Sequence, residues 1–383
     1  MKNIFLLISR NVISTLLILI VVNFLIVTAW EAKRGIDQFK SRILGIEEKN
    51  TDHKAHLPNY KDFPWATTFF NEFRPLAILN YKSYVGWRRP PFKGETINVD
   101  EAGMRRTVQH TGVSPDADTI VMLGGSTMWG EGTNDENTIP SLLAARCEGR
   151  FKVLNLGEQG YRPFQSFIYL HLQLNEGLKP KWVITYDGVN EALGYYQEVD
   201  PISSFAELGI RESLKESRER KDYTRELSYQ NFFLSPIEKT VQYFKDKNKK
   251  PQLRAMDMSN TRGEAVALSL LDSWLSIYDL AEKNEAGFLA ILQPNIGVGH
   301  PRKDHIQLSP TEQQLTDAYL DLYPRVRHLL ETDSKYKVLR GKVLDYTDAY
   351  DGDDFIYIDI CHVSPQGNQI IADRIWKDIK RRE

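Results

Sequence analysis

The residues that could do chemistry fall at four points along the chain, each just past an apolar run. Ser126 follows Thr119–Leu123 and the pair Gly124-Gly125. A serine on such a turn opens a helix with its hydroxyl exposed, close to backbone N–H groups and the positive end of the helix. The turn is not a G-x-S-x-G elbow, because Met128 stands at the last glycine position, and no Gly-Lys-Ser/Thr follows to make a phosphate loop. The second point is Asn155-Leu156-Gly157-Glu158-Gln159-Gly160-Tyr161, where a glycine lets the backbone approach a ligand and offer an N–H. The third is Gly188-Val189-Asn190-Glu191, whose asparagine amide can donate to an oxyanion or cap a helix. The fourth is Asp359-Ile360-Cys361-His362, which puts a base and a carboxylate able to orient its imidazole on one loop. Taken singly, each also reads as ordinary structure: a turn, a second turn, a cap, and a histidine before a helix.

These points need strands and helices to hold them. Short apolar runs at Thr119–Leu123, Lys152–Gly157, Lys181–Gly188, Gly287–Asn295 and Lys342–Tyr350 read as strands. Helical spacing covers Thr138–Gly149, Phe164–Asn175, Gly263–Lys283, Leu315–Leu330 and Asn368–Arg382, with Pro324 expected to kink or interrupt the fourth. Strands alternating with helices predict an α/β domain with a mainly parallel sheet and its site at the carboxyl ends of the strands. Glu95–Val99 alternates as an edge strand or hairpin would. The charge-dense stretch Ser203–Arg254 breaks the rhythm and reads as a solvated helical insertion, or else as a lid or docking arm.

In this order and at these places the four blocks resemble the SGNH, or GDSL-like, hydrolase family. GGST matches the first block, NLGEQG the second, GVNE the third and DICHVSPQGNQIIA the last. The resemblance covers roughly residues 118–380, and GWRRPPFKGETINVDEAGMRRT (Gly86–Thr107) also looks like the lead-in of membrane-anchored bacterial members. It implies a flavodoxin-like three-layer α/β sandwich with a mainly parallel central sheet. It implies Ser126 as nucleophile, His362 as base and Asp359 as its orienting carboxylate. The oxyanion hole would be the N–H groups of Ser126 and Gly160, with Gly157 as the alternative glycine, and the Asn190 side chain. Acyl-enzyme chemistry of this kind needs no metal and no organic cofactor. The family's usual Asp before the nucleophile is Gly125 here, which removes a hydrogen-bonding group without touching the Ser-His-Asp set.

Residues 11–30 form an uncharged run about as long as a helix needs to cross a bilayer, and too long for a comfortable signal peptide. Trp30 suits the interface, while Lys2, Arg10, Lys33 and Arg34 do not fix the orientation. The expected organisation is an uncleaved anchor at 1–30, a stalk at 31–80, and a catalytic domain at 81–383 with its insertion at about 203–254. With 49 basic and 51 acidic residues among 383, the formal net charge of -2 gives no support for nucleic-acid binding. Cys147 and Cys361, the chain's 2 cysteines, rule out a disulfide framework; they could pair or stay free, with free buried thiols the favoured reading. His300 and His305 read as loop residues rather than a metal site, for want of a ligand set at a known spacing.

Together these imply an extracytoplasmic, membrane-anchored serine esterase that removes acyl groups, O-acetyl foremost, from a glycan. The domain would face the periplasm or the outer side of the cytoplasmic membrane, with envelope polysaccharide machinery as a partner. The same triad would serve an O-acyltransferase acting on an exported polysaccharide. A lysophospholipase is less favoured, because the insertion shows no apolar lid. A non-catalytic glycan-binding or assembly scaffold is the reading from a different class.

Overall fold

Apolar runs without a charge belong inside a parallel sheet covered on both faces. The computed structural model puts them there. It describes residues 53–77, 79–197, 200–204 and 255–383, with isolated positions elsewhere. Residues 51–208 and 254–383 form one unit, described here. The expected membrane anchor, the first half of the expected stalk and nearly all of the 203–254 insertion lie outside the described residues. Among the described residues, no helix is long and apolar enough to cross a membrane.

Among the described residues, nine strands and seven α-helices follow in chain order. The strands are β1 (Asn80–Lys82), β2 (Gly86–Arg88), β3 (Phe92–Lys93), β4 (Asn98–Val99), β5 (Asp118–Gly124), β6 (Phe151–Asn155), β7 (Pro180–Asp187), β8 (Gly287–Leu292) and β9 (Val343–Asp345). The helices are α1 (Ala66–Phe73), α2 (Ser126–Trp129), α3 (Ile139–Arg146), α4 (Pro163–Asn175), α5 (Asn260–Lys283), α6 (Pro310–Thr332) and α7 (Pro365–Lys380). The central sheet runs β6-β5-β7-β8-β9, and each pairing in it is parallel. The chain starts in β5, steps to β6, then crosses back to β7, so the order reverses at β5. Right-handed crossovers then place α3 on one face and α4, α5 and α6 on the other. The packing agrees, since α7 lies against α3 while α4, α5 and α6 pack in sequence. Ligand sites of open α/β sheets lie at such a reversal, outside the carboxyl ends of the strands. Ile120, Val121, Met122 and Leu123 of β5 are wholly buried in the resulting core.

Three local expectations change. Helix α6 runs unbroken through Pro324. The proline withholds one hydrogen bond from the Leu320 carbonyl, but Leu320 is on an exposed face where water can take its place. The strand expected over Lys342–Tyr350 is only Val343–Asp345, because Tyr346–Tyr350 turn away toward α7. Residues 53–80, expected to lie in the stalk, pack instead within the same unit as the central sheet. There a 3-10 turn (His53–His56) and α1 bring Ala55, Tyr60, Phe69, Phe70 and Leu76 onto Trp129 and Ile358 in a second apolar cluster. Burial of that many aromatic side chains outweighs the polar character of the residues just before them.

Candidate active site

Strand β5 must leave the sheet abruptly to present Ser126. Gly124 does this at φ +149, where an added Cβ would come within 2.7 Å of the Tyr186 carbonyl oxygen on β7. Gly125 then caps α2, a single turn that begins at Ser126 and closes with the Gly130 N–H on the Ser126 carbonyl at 2.9 Å. His362 arrives from the loop before α7. Its Nε2 is 2.7 Å from Ser126 Oγ, and its Nδ1 is 2.8 Å from Asp359 Oδ2. The other oxygen of Asp359 accepts the backbone N–H groups of Cys361 and His362 at 3.0 and 2.8 Å. The carboxylate is therefore fixed before it touches the imidazole. Residues 236 apart in sequence thus form one continuous relay from Ser126 through His362 to Asp359.

Two further charges meet this relay. Lys54 Nζ is 2.7 Å from Asp359 Oδ2, and Glu131 Oε2 is 3.5 Å from His362 Nε2. That Glu131 oxygen is buried and has no hydrogen-bond partner. Burial alone would raise the Asp359 carboxyl, but His362 and then Lys54 outweigh it and hold the group well below the usual carboxylate range. Burial likewise disfavours a charged His362, yet Asp359 foremost, with Glu131 among the others, pushes the imidazole well above its ordinary value.

The groups expected to form an oxyanion hole separate clearly. The Gly157 N–H is spent on Asn155 Oδ1 at 3.0 Å. The N–H groups of Ser126 and Gly160 donate to nothing among the described residues, and Gly160 holds φ +69, which favours glycine. Asn190 donates one amide hydrogen to the Tyr161 carbonyl at 2.8 Å and keeps the other. Its Nδ2 lies so close over Gly125 that a Cβ there would be 2.4 Å away, with the Tyr161 carbonyl 3.5 Å from the same point. Gly125, Asn190 and the Gly160-Tyr161 corner therefore meet beside Ser126. A side chain at position 125 would have to push the Asn190 amide out of its place over the turn.

The loop carrying Gly160 is held by residues that sequence reasoning did not single out. Glu158 is wholly buried between Arg88 and Arg89, at 3.6 and 3.5 Å, and its carboxylate also accepts the Arg89 N–H at 2.9 Å. Trp87 Nε1 donates to the Gln159 carbonyl at 2.8 Å, and the Tyr161 hydroxyl donates to the Trp87 carbonyl at 2.6 Å. Arg105 pairs with Asp135 at 3.0 Å and donates to the Gly130 and Thr133 carbonyls, which pins the turn after α2. The signal for the Arg88, Arg89 and Glu158 cluster was present as Gly86-Trp87-Arg88-Arg89 and the Glu of NLGEQG, an apolar setting around charges that must pair if buried.

No protein-family model matches the chain, and no curated protein does. Solved structures similar to it include a lipolytic G-D-S-L family protein from Veillonella parvula, 10% identical, with a TM-score of 0.38, covering 69% of this chain and 100% of that one. Another is Est24, a carbohydrate acetylesterase from Sinorhizobium meliloti, 12% identical, with a TM-score of 0.37, covering 70% of this chain and 100% of that one. Likeness this distant adds no weight to the side-chain geometry.

The remaining candidates lie apart from the relay. His305 puts Nε2 at 2.8 Å from the Tyr357 carbonyl, and His300 uses its backbone N–H on Asp351, so the two rings share no ligand set among the described residues. Cys147 and Cys361 are both free and buried; the Cys361 sulfur lies 3.7 Å from His362 Nδ1. A groove of about 760 Å³ beside β4 and the outer edge of β6 is lined by Lys93, Arg106 and Lys152 and by none of the triad residues.

Proposed function

We propose that this chain is a serine ester hydrolase working through an acyl-enzyme. The observation that carries the reading is the unbroken relay of 2.7 and 2.8 Å from Ser126 to Asp359. In that reading His362 Nε2 takes the Ser126 proton as Oγ attacks the ester carbonyl carbon. The carbonyl oxygen gathers negative charge, which the N–H groups of Ser126 and Gly160 and the free Asn190 amide hydrogen stabilise. Asp359 holds the Nδ1–H and stabilises the imidazolium. His362 then gives its proton to the departing alcohol oxygen, leaving the acyl group on Ser126. A water adds to the acyl carbon while His362 takes its proton; collapse expels Ser126 Oγ, which takes the proton back, and the free acid leaves.

The natural ester in this proposal is an O-acyl group, acetyl foremost, on a glycan outside the cytoplasm. The uncharged run at 11–30 and the lead-in at Gly86–Thr107 support that setting. A scaffold reading gains nothing from so complete a set of donors and bases.

The test uses the full chain in detergent beside Ser126→Ala. Wild type should release p-nitrophenol from the acetate ester, take up a fluorophosphonate probe and free acetate from an acetylated oligosaccharide, while the variant does none of these. Equal inertness of the two proteins toward ester and probe would overturn the enzyme reading. Ester cleavage without deacetylation of any oligosaccharide would overturn the glycan part alone.

A further inference from the structure

The charges around His362 do not balance without a residue from far outside the motif blocks. The imidazole faces two carboxylates, Asp359 at Nδ1 and Glu131 at Nε2, besides the Ser126 hydroxyl and the neutral Cys361 thiol. Two negative charges so close favour the imidazolium. An imidazolium has no lone pair on Nε2 and cannot take the Ser126 proton. Among the described residues one cation reaches this group: Lys54, on the Asp359 oxygen that also meets the imidazole. Arg89 also feels the charge of Glu131 but is committed to Glu158 and Gln159.

Lys54 is not a loose surface charge. Its side chain is 24% exposed, and its segment is tied down at both site loops. Asn59 Nδ2 donates to the Tyr357 carbonyl at 2.9 Å, next to the Asp359 loop. The Tyr60 hydroxyl donates to the Gly132 carbonyl at 2.6 Å, next to Glu131. The segment therefore spans the two carboxylates and delivers its ammonium to one of them.

Building on the esterase reading, we infer that Lys54 is a positioning residue that offsets one of the two carboxylates at His362 and so keeps the imidazole neutral, and able to act as base, at lower pH than the two carboxylates alone would allow. Lys54 touches neither substrate nor the reacting atoms; it acts through Asp359. Two hydrogen bonds of 2.7 and 2.8 Å separate it from the imidazole, so removing its charge should raise the apparent pKa of His362 by about one unit.

The experiment compares full-length wild type, Lys54→Met and Lys54→Arg. It follows kcat/KM for p-nitrophenyl acetate and the rate of fluorophosphonate labelling from pH 5 to 10. In Lys54→Met the acid limb of both profiles should move up by about one pH unit. Activity below the limb falls about tenfold and is largely regained above it, and Lys54→Arg should keep the wild-type limb. A Lys54→Met limb that stays in place, or a loss of the same size at every pH, overturns the inference, because a purely structural role would give that pattern. If wild type itself neither cleaves the ester nor takes up the probe at any pH, it is the esterase reading that has failed.

Discussion

Gly125→Ala tests how closely Asn190 packs over the turn that presents Ser126. The backbone at 125 is extended, with φ -83 and ψ -154, and accepts an alanine without strain. The new methyl would nevertheless stand 2.4 Å from Asn190 Nδ2, where ordinary contact is 3.4 Å or more. The amide must retreat by about 1 Å, and a misplacement of that size typically costs about 10²-fold in rate. Loss of an oxyanion donor costs about 10²–10³-fold, so kcat should fall by about 10², or roughly 2.7 kcal/mol of barrier. Stability should hardly change. Lower chain entropy in the unfolded state contributes about 0.4–1 kcal/mol, which offsets a weakened Asn190–Tyr161 hydrogen bond of about 0.5–1.5 kcal/mol. The assay is steady-state cleavage of p-nitrophenyl acetate by Gly125→Ala, Asn190→Ala and the double variant. Both single variants should lose kcat with little change in KM, and adding Gly125→Ala to Asn190→Ala should cost nothing more. Full activity in Gly125→Ala, or losses that multiply in the double variant, would refute the claim that the methyl acts through Asn190.

Three other outcomes follow from the charges at and beside the relay. Because its neighbours raise His362 well above its ordinary value, the acid limb of wild-type kcat/KM should lie above pH 6.5, and activity should climb toward alkaline pH. The same shifts bear on stability. The His362 contribution is complete below about pH 6.5 and is lost as pH rises through its folded-state value, while the Asp359 contribution is present above about pH 4 and is lost in stronger acid. Urea melts of wild type and His362→Ala across pH should show the histidine's share shrinking upward. Arg105→Met should leave Asp135 buried without its cation and cost about 3–5 kcal/mol in the same melts, with Asp135→Asn added to Arg105→Met restoring part of it.

The strands and the triad were legible because their signals are local. An uncharged apolar run marks a buried parallel strand wherever it occurs, and Asp359 with His362 lies within one loop, where spacing alone puts carboxylate and imidazole in reach. Gly160 could be separated from Gly157 only once the Asn155 side chain was seen to occupy the Gly157 N–H. Pro324 misled because the rule against proline in helices assumes that the freed carbonyl has nowhere to turn, and at Leu320 it has water. The residues from 53 to 80 misled for a different reason. Their hydrophilic start resembles a stalk, and the aromatic side chains that fold them find their partners, Trp129 and Ile358, far along the chain.

That last error matters for the chemistry, because the part of the chain before β5 supplies the cations of the site. Lys54 meets Asp359, Arg88 and Arg89 enclose Glu158, and Arg105 holds Asp135. Each carboxylate lies in or beside a loop that presents a triad residue or an oxyanion donor, and Asp359 itself belongs to the triad. A buried carboxylate without a cation is costly, so these loops keep their shape only while the preceding segment is docked. The four motif blocks therefore contain Ser126, His362 and the carboxylates Glu158 and Asp359 but not the cations that pair with these carboxylates. A boundary drawn at residue 81 would keep Arg88, Arg89 and Arg105 yet discard Lys54 and uncover Trp129 and Ile358. Read from its charge pairs, the unit that holds the Ser126–His362–Asp359 relay includes the described residues from 53 on, and Lys54 among them already touches the relay.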